Sequence, residues 1–394
     1  MIEKKQQDAA FTVKTPAYIF HIPELKERVK KIRSFLGKRT EICYAMKANP
    51  FLISELNDVV DSFEVCSHGE YRICERQGIW GEKIVYSGVY KRKQDVLEVV
   101  KAQKDSPVYT VESEAHYKIL LDAAKKFGLS LSVCLRLTSG NQFGMDEKKI
   151  RSIFKKNDEK FLKIEGIQYY SGTQKKSDKI YKEIDMLTAF VRDLTERYGK
   201  KINRIEYGPG LSVRYFEGEK EYCEEEVLRE ISSRLEADFD GKIVLEMGRF
   251  IAAECGEYVT SVVDLKKNGE NAYCIVDGGI NHLNYYGQMM AMKFPFIRHY
   301  QNKPMQKDDA PEKWNICGSL CTTADVLVKS YPLANLKKGD RLVFEKTGAY
   351  SVTEGIYLFL SRDMPYIYKV TEQGELKKVR QALQTDKINS ERRN

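Results

Sequence analysis

Residues 107–137 read PVYTVESEAHYKILLDAAKKFGLSLSVCLRL. The run Pro107–Val111 is short, apolar and β-prone, and Glu114–Phe127 carries an amphipathic helical period. Gly128 then stands where a helix C-cap favours a residue with left-handed backbone, and Leu129–Leu137 is β-prone again. Strand, helix and strand in so short a span make a βαβ unit. The alternation extends in both directions. Upstream, Glu41–Met46, Ser62–Cys66 and Lys83–Ser87 read as strands; downstream, Phe161–Tyr169, Asn203–Tyr207 and Lys242–Met247 do. Between the last three lies the helical stretch Lys176–Tyr198, closed by Gly199. Eight such strands alternating with helices predict an α/β fold of the (β/α)8 TIM-barrel type.

Past Arg249 the helical period fades, and Tyr258–Leu265, Ala272–Val276, Asp340–Phe344 and Tyr366–Val370 read as strands. A second, C-terminal β-rich domain is expected, a β-sandwich or β-barrel. Near the N-terminus, Ala17–His21 reads as a strand and Ile22–Phe35 as a helix, which could join either domain. The expected division is a barrel over residues 37–258, a β-rich domain from 1–36 and 259–375, and a mobile basic tail over 376–394.

Composition removes several classes of function. The net charge is +8, but Leu376 to Asn394 hold six basic and two acidic residues, so half of the excess lies in the tail. The remaining body is close to balanced, which argues against a nucleic-acid footprint. No apolar run approaches the ~20 residues of a membrane helix, and the N-terminus lacks the apolar core of a secretory signal. A soluble cytoplasmic protein is expected, with no membrane partner. Nine scattered cysteines suit reduced thiols. With five histidines, no HExxH and no paired CxxC, no metal site is expected.

In a barrel, reactive groups sit just past the C-terminal ends of the strands. The first strand here runs into YAMKAN (44–49), the second into EVCSHGE (64–70), and the sixth into YYSGT (169–173). The seventh runs into GPG (208–210) and the eighth into EMGR (246–249). A lysine amid barrel strands, glycine-bearing turns on adjacent strands and a carboxylate together suit a phosphate-bearing aldehyde.

These segments, with CGSLCTTAD (317–325) and GAY (348–350), occur in the order found in pyridoxal 5'-phosphate (PLP) decarboxylases. The chain resembles the diaminopimelate/ornithine decarboxylase family, of alanine racemase-like fold, over roughly residues 15 to 370. The resemblance implies PLP-dependent α-decarboxylation of an amino acid. It implies that Lys47 holds the cofactor's aldehyde, for which a partly desolvated amine is needed. It gives Glu246 the pyridine nitrogen, and gives Gly208, Gly210, Gly248 and Tyr350 the phosphate. Tyr170, Thr173, Met247 and Arg249 complete the cofactor-binding set. Cys321 is implied to return a proton to Cα from a second copy of the chain, which makes a homodimer with shared active sites the expected assembly.

Four positions depart from the family. Tyr170 stands where histidine usually covers the ring, Pro209 removes a backbone N–H from a glycine triplet, and Met247 replaces proline. The fourth departure concerns the substrate's distal end: Tyr285 or a neighbour stands where diaminopimelate decarboxylases carry an arginine, and Thr322 where they carry a glutamate. With Arg249 and Asp325, these are the expected substrate-binding residues. Losing both charged readers suggests a substrate other than free meso-diaminopimelate. DGGxxH and GxLCTxxDVL look more like the branch serving antibiotic or siderophore pathways, where an acyl or peptidyl carrier protein can bear the amino acid. The competing readings are a diaminopimelate decarboxylase of lysine biosynthesis, an amino-acid racemase on the same fold and a non-catalytic binding protein.

Overall fold

A computed structural model describes residues 9–285, 291–302 and 310–391. The first eight residues and the last three of the expected tail lie outside it. The chain forms two compact units: one is Arg28–Val213 with Tyr222–Ile251, and the other takes the described residues up to Glu27, Arg214–Glu221 and those from Ala252 on. Strand β1 (Ala17–His21) belongs to the second unit.

The first unit is a closed parallel barrel. Its strands are β2 (Thr40–Ala45), β3 (Ser62–Val65), β4 (Ile84–Tyr86), β5 (Val108–Val111), β6 (Leu131–Leu137), β7 (Leu162–Tyr170), β8 (Arg204–Gly208) and β9 (Lys242–Met247). All eight expected strands are present, with ends moved by one or two residues. The helix Glu114–Phe127 buries His116, Leu120, Ala123 and Ala124, a stripe at helical spacing that covers the barrel wall. Ser113 Oγ accepts from His116 N at 3.1 Å to cap its start, and Gly128 ends it at φ +66°. Gly199 does the same for Ser177–Tyr198 at φ +61°.

Register closes the ring: Cys43 lies opposite Glu246 across β2 and β9, and Ala45 opposite Glu64 across β2 and β3. Between β6 and β7 the register shifts, so that Val133 faces Ile164 but Cys134 faces Gly166. Gly166 allows this because a methyl group there would sit 2.2 Å from Arg204 O on β8.

The second unit is β-rich, built from β1, β10 (Gly256–Asn268), β11 (Asn271–Val276), β12 (Ile297–Tyr300), β13 (Glu312–Cys317), β14 (Val326–Leu333), β15 (Arg341–Phe344), β16 (Tyr366–Val370) and β17 (Leu376–Arg380). Pairing among the described residues gives one branched sheet, ordered β14-β13-β11-β10-β1-β16-β17, with β15 joining β10 to β12. No closed ring of pairs occurs among these strands, unlike in the first unit. Its core gathers Val13, Ala17, Ile19, Val259, Val343 and Tyr368.

Two features correct the sequence reading. Leu376–Arg380, expected in a mobile tail, pairs with β16 in the register Val370 opposite Leu376, and Leu376 packs against the core. Its adjacent Lys377 and Lys378 and its Arg380 hide the strand from composition, because the pairing comes from its neighbour. Arg214–Glu221 leaves the barrel sequence to join the β-rich unit, where Glu217 N donates to Phe294 O at 2.8 Å.

Gly166→Ala is expected to destabilise the protein by about 1–3 kcal/mol, the usual cost of forcing a group into a packed interior. Thermal unfolding checks this, and an unchanged Tm would mean that β7 and β8 can separate at no cost.

Candidate active site

Lys47 follows β2 in the single helical turn Met46–Ala48. Its Nζ donates to Glu64 Oε2 at 2.7 Å and to Cys66 Sγ at 3.6 Å, and lies 6.0 Å from the centre of the Tyr170 ring. The resemblance implies a partly desolvated amine, and the Lys47 side chain is 39% exposed and ion-paired with a Glu64 side chain that is 3% exposed. The lysine sits at the barrel mouth while the carboxylate lies inside. Burial opposes ionisation of Glu64, but Lys47 and then Arg136 outweigh it and hold the carboxyl below the usual range.

Glu246, the penultimate residue of β9, is buried. Gln168 on β7 donates Nε2 to its Oε1 at 2.7 Å. Burial, with Glu64 and Glu206 nearby, pushes the Glu246 carboxyl well above the usual carboxylate range. Glu206 itself receives Arg204 Nε and Nη2 at 2.8 and 2.5 Å on one oxygen. Burial raises the Tyr170 phenol, which therefore stays protonated.

The glycines are required by close packing. A methyl at Gly208 would meet Tyr170 Cδ2 at 2.5 Å, and one at Gly248 would meet Ala48 Cβ at 2.8 Å and Ala45 O at 2.9 Å. They bring the Tyr170 ring and the turn bearing Lys47 against the strand ends. Gly210 has φ +60°, and a methyl there would sit 2.0 Å from Gly172 O. Thr173 lies in the turn after β7, Met247 is buried at the end of β9, and Arg249 opens the short helix Arg249–Ala252. The barrel unit thus brings together Lys47, Tyr170, Gly208, Gly210, Glu246 and Gly248.

The remaining expected residues lie in the β-rich unit. Cys321 is exposed. Thr322 Oγ1 accepts from Ala324 N at 3.3 Å. Tyr285 is buried, donates its hydroxyl to Glu345 O, and packs its ring edgewise on Tyr215 at 5.4 Å. Tyr350 has φ +66°, and its carbonyl accepts from Thr353 N and Glu354 N at 2.7 and 2.9 Å. Asp325, expected at the substrate, is 3% exposed and uses one oxygen on Ile280 N at 2.9 Å and the other on Leu320 N at 2.7 Å. Both oxygens join loops, which corrects that expectation.

Three further residues matter to the site. Glu64 is a carboxylate inside an apolar strand, a signal visible in sequence, and Gln168 is a polar amide in the same setting on β7. Lys91 carried none: it follows an exposed loop in sequence, yet it is buried and donates to Ser87 O and Gly88 O at 2.7 and 2.8 Å. Burial pulls its ammonium down to about 8.

Residues 22–253 match the model of the "Pyridoxal-dependent decarboxylase, pyridoxal binding domain" family. The chain belongs to this family. It is therefore a PLP-dependent carboxy-lyase acting on an amino acid, which sets aside the racemase and non-catalytic readings. It is 27% identical to diaminopimelate decarboxylase of Aquifex aeolicus, over 87% of this chain and 84% of that protein. It is 26% identical to the L-glutamyl-[BtrI acyl-carrier protein] decarboxylase of Niallia circulans, over 89% and 87%. Its fold matches the crystal structure of Helicobacter pylori diaminopimelate decarboxylase complexed with L-lysine, with a TM-score of 0.84 at 24% identity, covering 98% of each chain. Among the described residues no helix is long and apolar enough to cross a membrane.

The barrel residues fit the cofactor of this family. Gln168 Oε1 and Glu206 Oε1 are buried with no hydrogen-bond partner among the described residues, beside a carboxyl whose pKa burial raises well above the usual range. A bound ring nitrogen carrying a proton suits such a carboxyl by supplying the positive charge it lacks.

A raised Glu246 pKa makes this residue a liability in the cofactor-free protein. As pH rises above the unfolded value of about 4.3, the unfolded carboxyl ionises while the folded one does not, so stability falls until the folded pKa is reached, at roughly 1.4 kcal/mol per pH unit. Cofactor-free Glu246→Gln should therefore be more stable than wild type at neutral pH and equal to it near pH 4. Thermal unfolding across pH checks the sign, and a destabilised variant at pH 7 contradicts it.

Proposed function

We propose that this protein removes the α-carboxylate of a diaminopimelate-type amino acid. The reading rests on one observation above the rest: Lys47 paired with Glu64, and Glu246 held by Gln168, at the strand ends of one barrel. Relatives named diaminopimelate decarboxylase recur across several bacteria, which favours this substrate over the tethered one that the residue changes suggest.

When bound, PLP supplies an aldehyde for the substrate amine and a ring that takes up the electrons left as carbon dioxide departs. Lys47 is the amine that holds the cofactor, and Glu64 keeps its Nζ oriented between turnovers. Glu246 keeps a proton at the ring nitrogen, and Gln168 keeps Glu246 from rotating. Tyr170, whose ring lies beside Lys47, would pack on the bound cofactor, with a phenol in place of an imidazole. Gly208, Gly210 and Gly248, with Thr173, Met247, Arg249 and Tyr350, take the phosphate end. Cys321 from a second copy of the chain, or Lys47, returns the proton to Cα.

A second reading, an amino acid carried on an acyl or peptidyl carrier protein, is favoured by the β-rich unit. The Tyr285 hydroxyl is engaged by Glu345 O and the Thr322 hydroxyl by Ala324 N, so neither position offers charge to a distal zwitterion. Carbon dioxide release from meso-diaminopimelate, lysine, ornithine and glutamate, each free, and from carrier-bound glutamate separates the two. Turnover of free diaminopimelate is expected; turnover confined to the carrier-bound substrate would establish the second reading.

Lys47→Ala should abolish both the visible absorption of bound cofactor and carbon dioxide release. Mixing inactive Lys47→Ala with inactive Cys321→Ala subunits should restore roughly a quarter of wild-type activity, because a two-fold dimer with shared sites rebuilds one intact site in each mixed pair. No recovery would place both residues of each site in one chain.

A further inference from the structure

Lys175 lies behind the Gly208-Pro209-Gly210 turn and is 6% exposed. Its Nζ donates to Glu183 Oε2 at 2.5 Å, to Ser171 Oγ at 3.2 Å and to Gly208 O at 3.2 Å. Its main chain is tied to the same turn: Lys175 N donates to Gly210 O at 3.0 Å, and Ser212 Oγ donates to Lys175 O at 3.0 Å. The Lys175 stem packs so closely that a methyl at Gly210 would sit 2.8 Å from its Cε. Glu183 is fixed in turn by donors from Ser171 Oγ and, at 2.8 Å, Tyr207 OH.

This arrangement answers a problem that Pro209 creates. The peptide between Gly208 and Pro209 has a carbonyl oxygen but no N–H. In a cradle for an anion, that peptide offers only a repulsive oxygen. The Lys175 ammonium engages this oxygen at the back of the turn, where low dielectric strengthens the contact. Glu183, on the helix Ser177–Tyr198, offsets the cost of burying the charge through its contact with Nζ at 2.5 Å. Burial lowers the Lys175 pKa, and the ion pair with Glu183 opposes that shift.

We propose that Lys175 is a positioning residue for the cofactor phosphate: it locks the Gly208 carbonyl away from the anion and replaces, through charge, the N–H that Pro209 removes. The inference rests on the reading of this turn as the phosphate cradle. Its signature is selective, because a residue acting on the phosphate should matter for PLP and not for pyridoxal, which lacks that group.

Removing the lysine alone leaves Glu183 buried and unpaired, so the double variant Lys175→Met/Glu183→Gln keeps the interior neutral and is the better test. Cofactor-free full-length protein is titrated with PLP and with pyridoxal by absorbance. The double variant should bind PLP about tenfold more weakly, the loss of one charge-assisted contact, with pyridoxal affinity unchanged. Equal losses for both ligands, or no loss for either, would overturn the role of Lys175. Gly210→Ala tests the foundation: if it weakens PLP selectively while the double variant does not, the cradle stands and the inference falls. Wild-type protein that binds pyridoxal as tightly as PLP would overturn the cradle reading and the inference with it.

Discussion

Closure of the barrel between β9 and β2 is the constraint on which the site depends. The pairing Cys43 to Glu246, with Ala45 to Glu64 on the other side of β2, places three chemically active stretches on three adjacent parallel strands. Neighbouring strands lie about 4.8 Å apart, so a lysine two residues past Ala45 reaches a carboxylate on the next strand without strain. Gly248 completes the junction by letting the end of β9 touch the backbone of the turn that carries Lys47. A one-residue slip between β2 and β9 would turn Glu246 out of the interior.

The interior that this closure creates is charged, which makes its pairing scheme informative. Glu64 meets Lys47, Glu112 meets Arg136 at 3.1 Å, and Glu206 meets Arg204. Glu246 is held by a neutral amide, and burial with Glu64 and Glu206 nearby pushes its pKa well above the usual carboxylate range. Buried ion pairs rarely stabilise a fold more than apolar packing does. Their retention here makes sense as a frame that leaves one carboxyl short of a cation and aims it at the site. The fold thus carries an electrostatic deficit that its cofactor is chemically suited to fill, and the cost falls on the cofactor-free state.

Much of this architecture was legible because it repeats a local rule. Each βα unit announces itself through apolar β-prone runs, helical stripes and terminal glycines, and the left-handed Gly128 and Gly199 stand where that rule puts them. What stayed hidden is what depends on partners distant in sequence. β17 is a strand because β16 offers it an edge, and Arg214–Glu221 leaves the barrel because the Phe294 carbonyl, which accepts from Glu217 N, and the Tyr285 ring, which meets Tyr215, receive it. Lys91 and Lys175 look like surface lysines in any window of sequence, and only the carbonyls they meet distinguish them. The candidate site shows the same division: Lys47, Glu246 and the glycines could be found from short segments, whereas the meeting of Gln168 and Glu206 with Glu246 emerges only from the register of β7, β8 and β9.

The loop containing Cys321 shows why a recognisable segment need not be chemically active at every position. Asp325 clamps Ile280 N and Leu320 N, and the room for its carboxylate exists because two glycines lack side chains: a methyl at Gly279 would lie 2.7 Å from its oxygens and one at Gly318 would lie 2.3 Å away. Glycine at both positions and aspartate at 325 therefore require one another, since any larger residue at either glycine expels the carboxylate and strands two buried N–H groups. DGG and the C-terminal aspartate of CGSLCTTAD form one structural device read twice along the chain. Cys321 lies on the loop that this device holds, exposed, with a thiol free of the clamp's hydrogen bonds. Chemistry in this loop is therefore separable from its folding: position 321 can vary without disturbing the clamp, whereas Gly279, Gly318 and Asp325 can change only together.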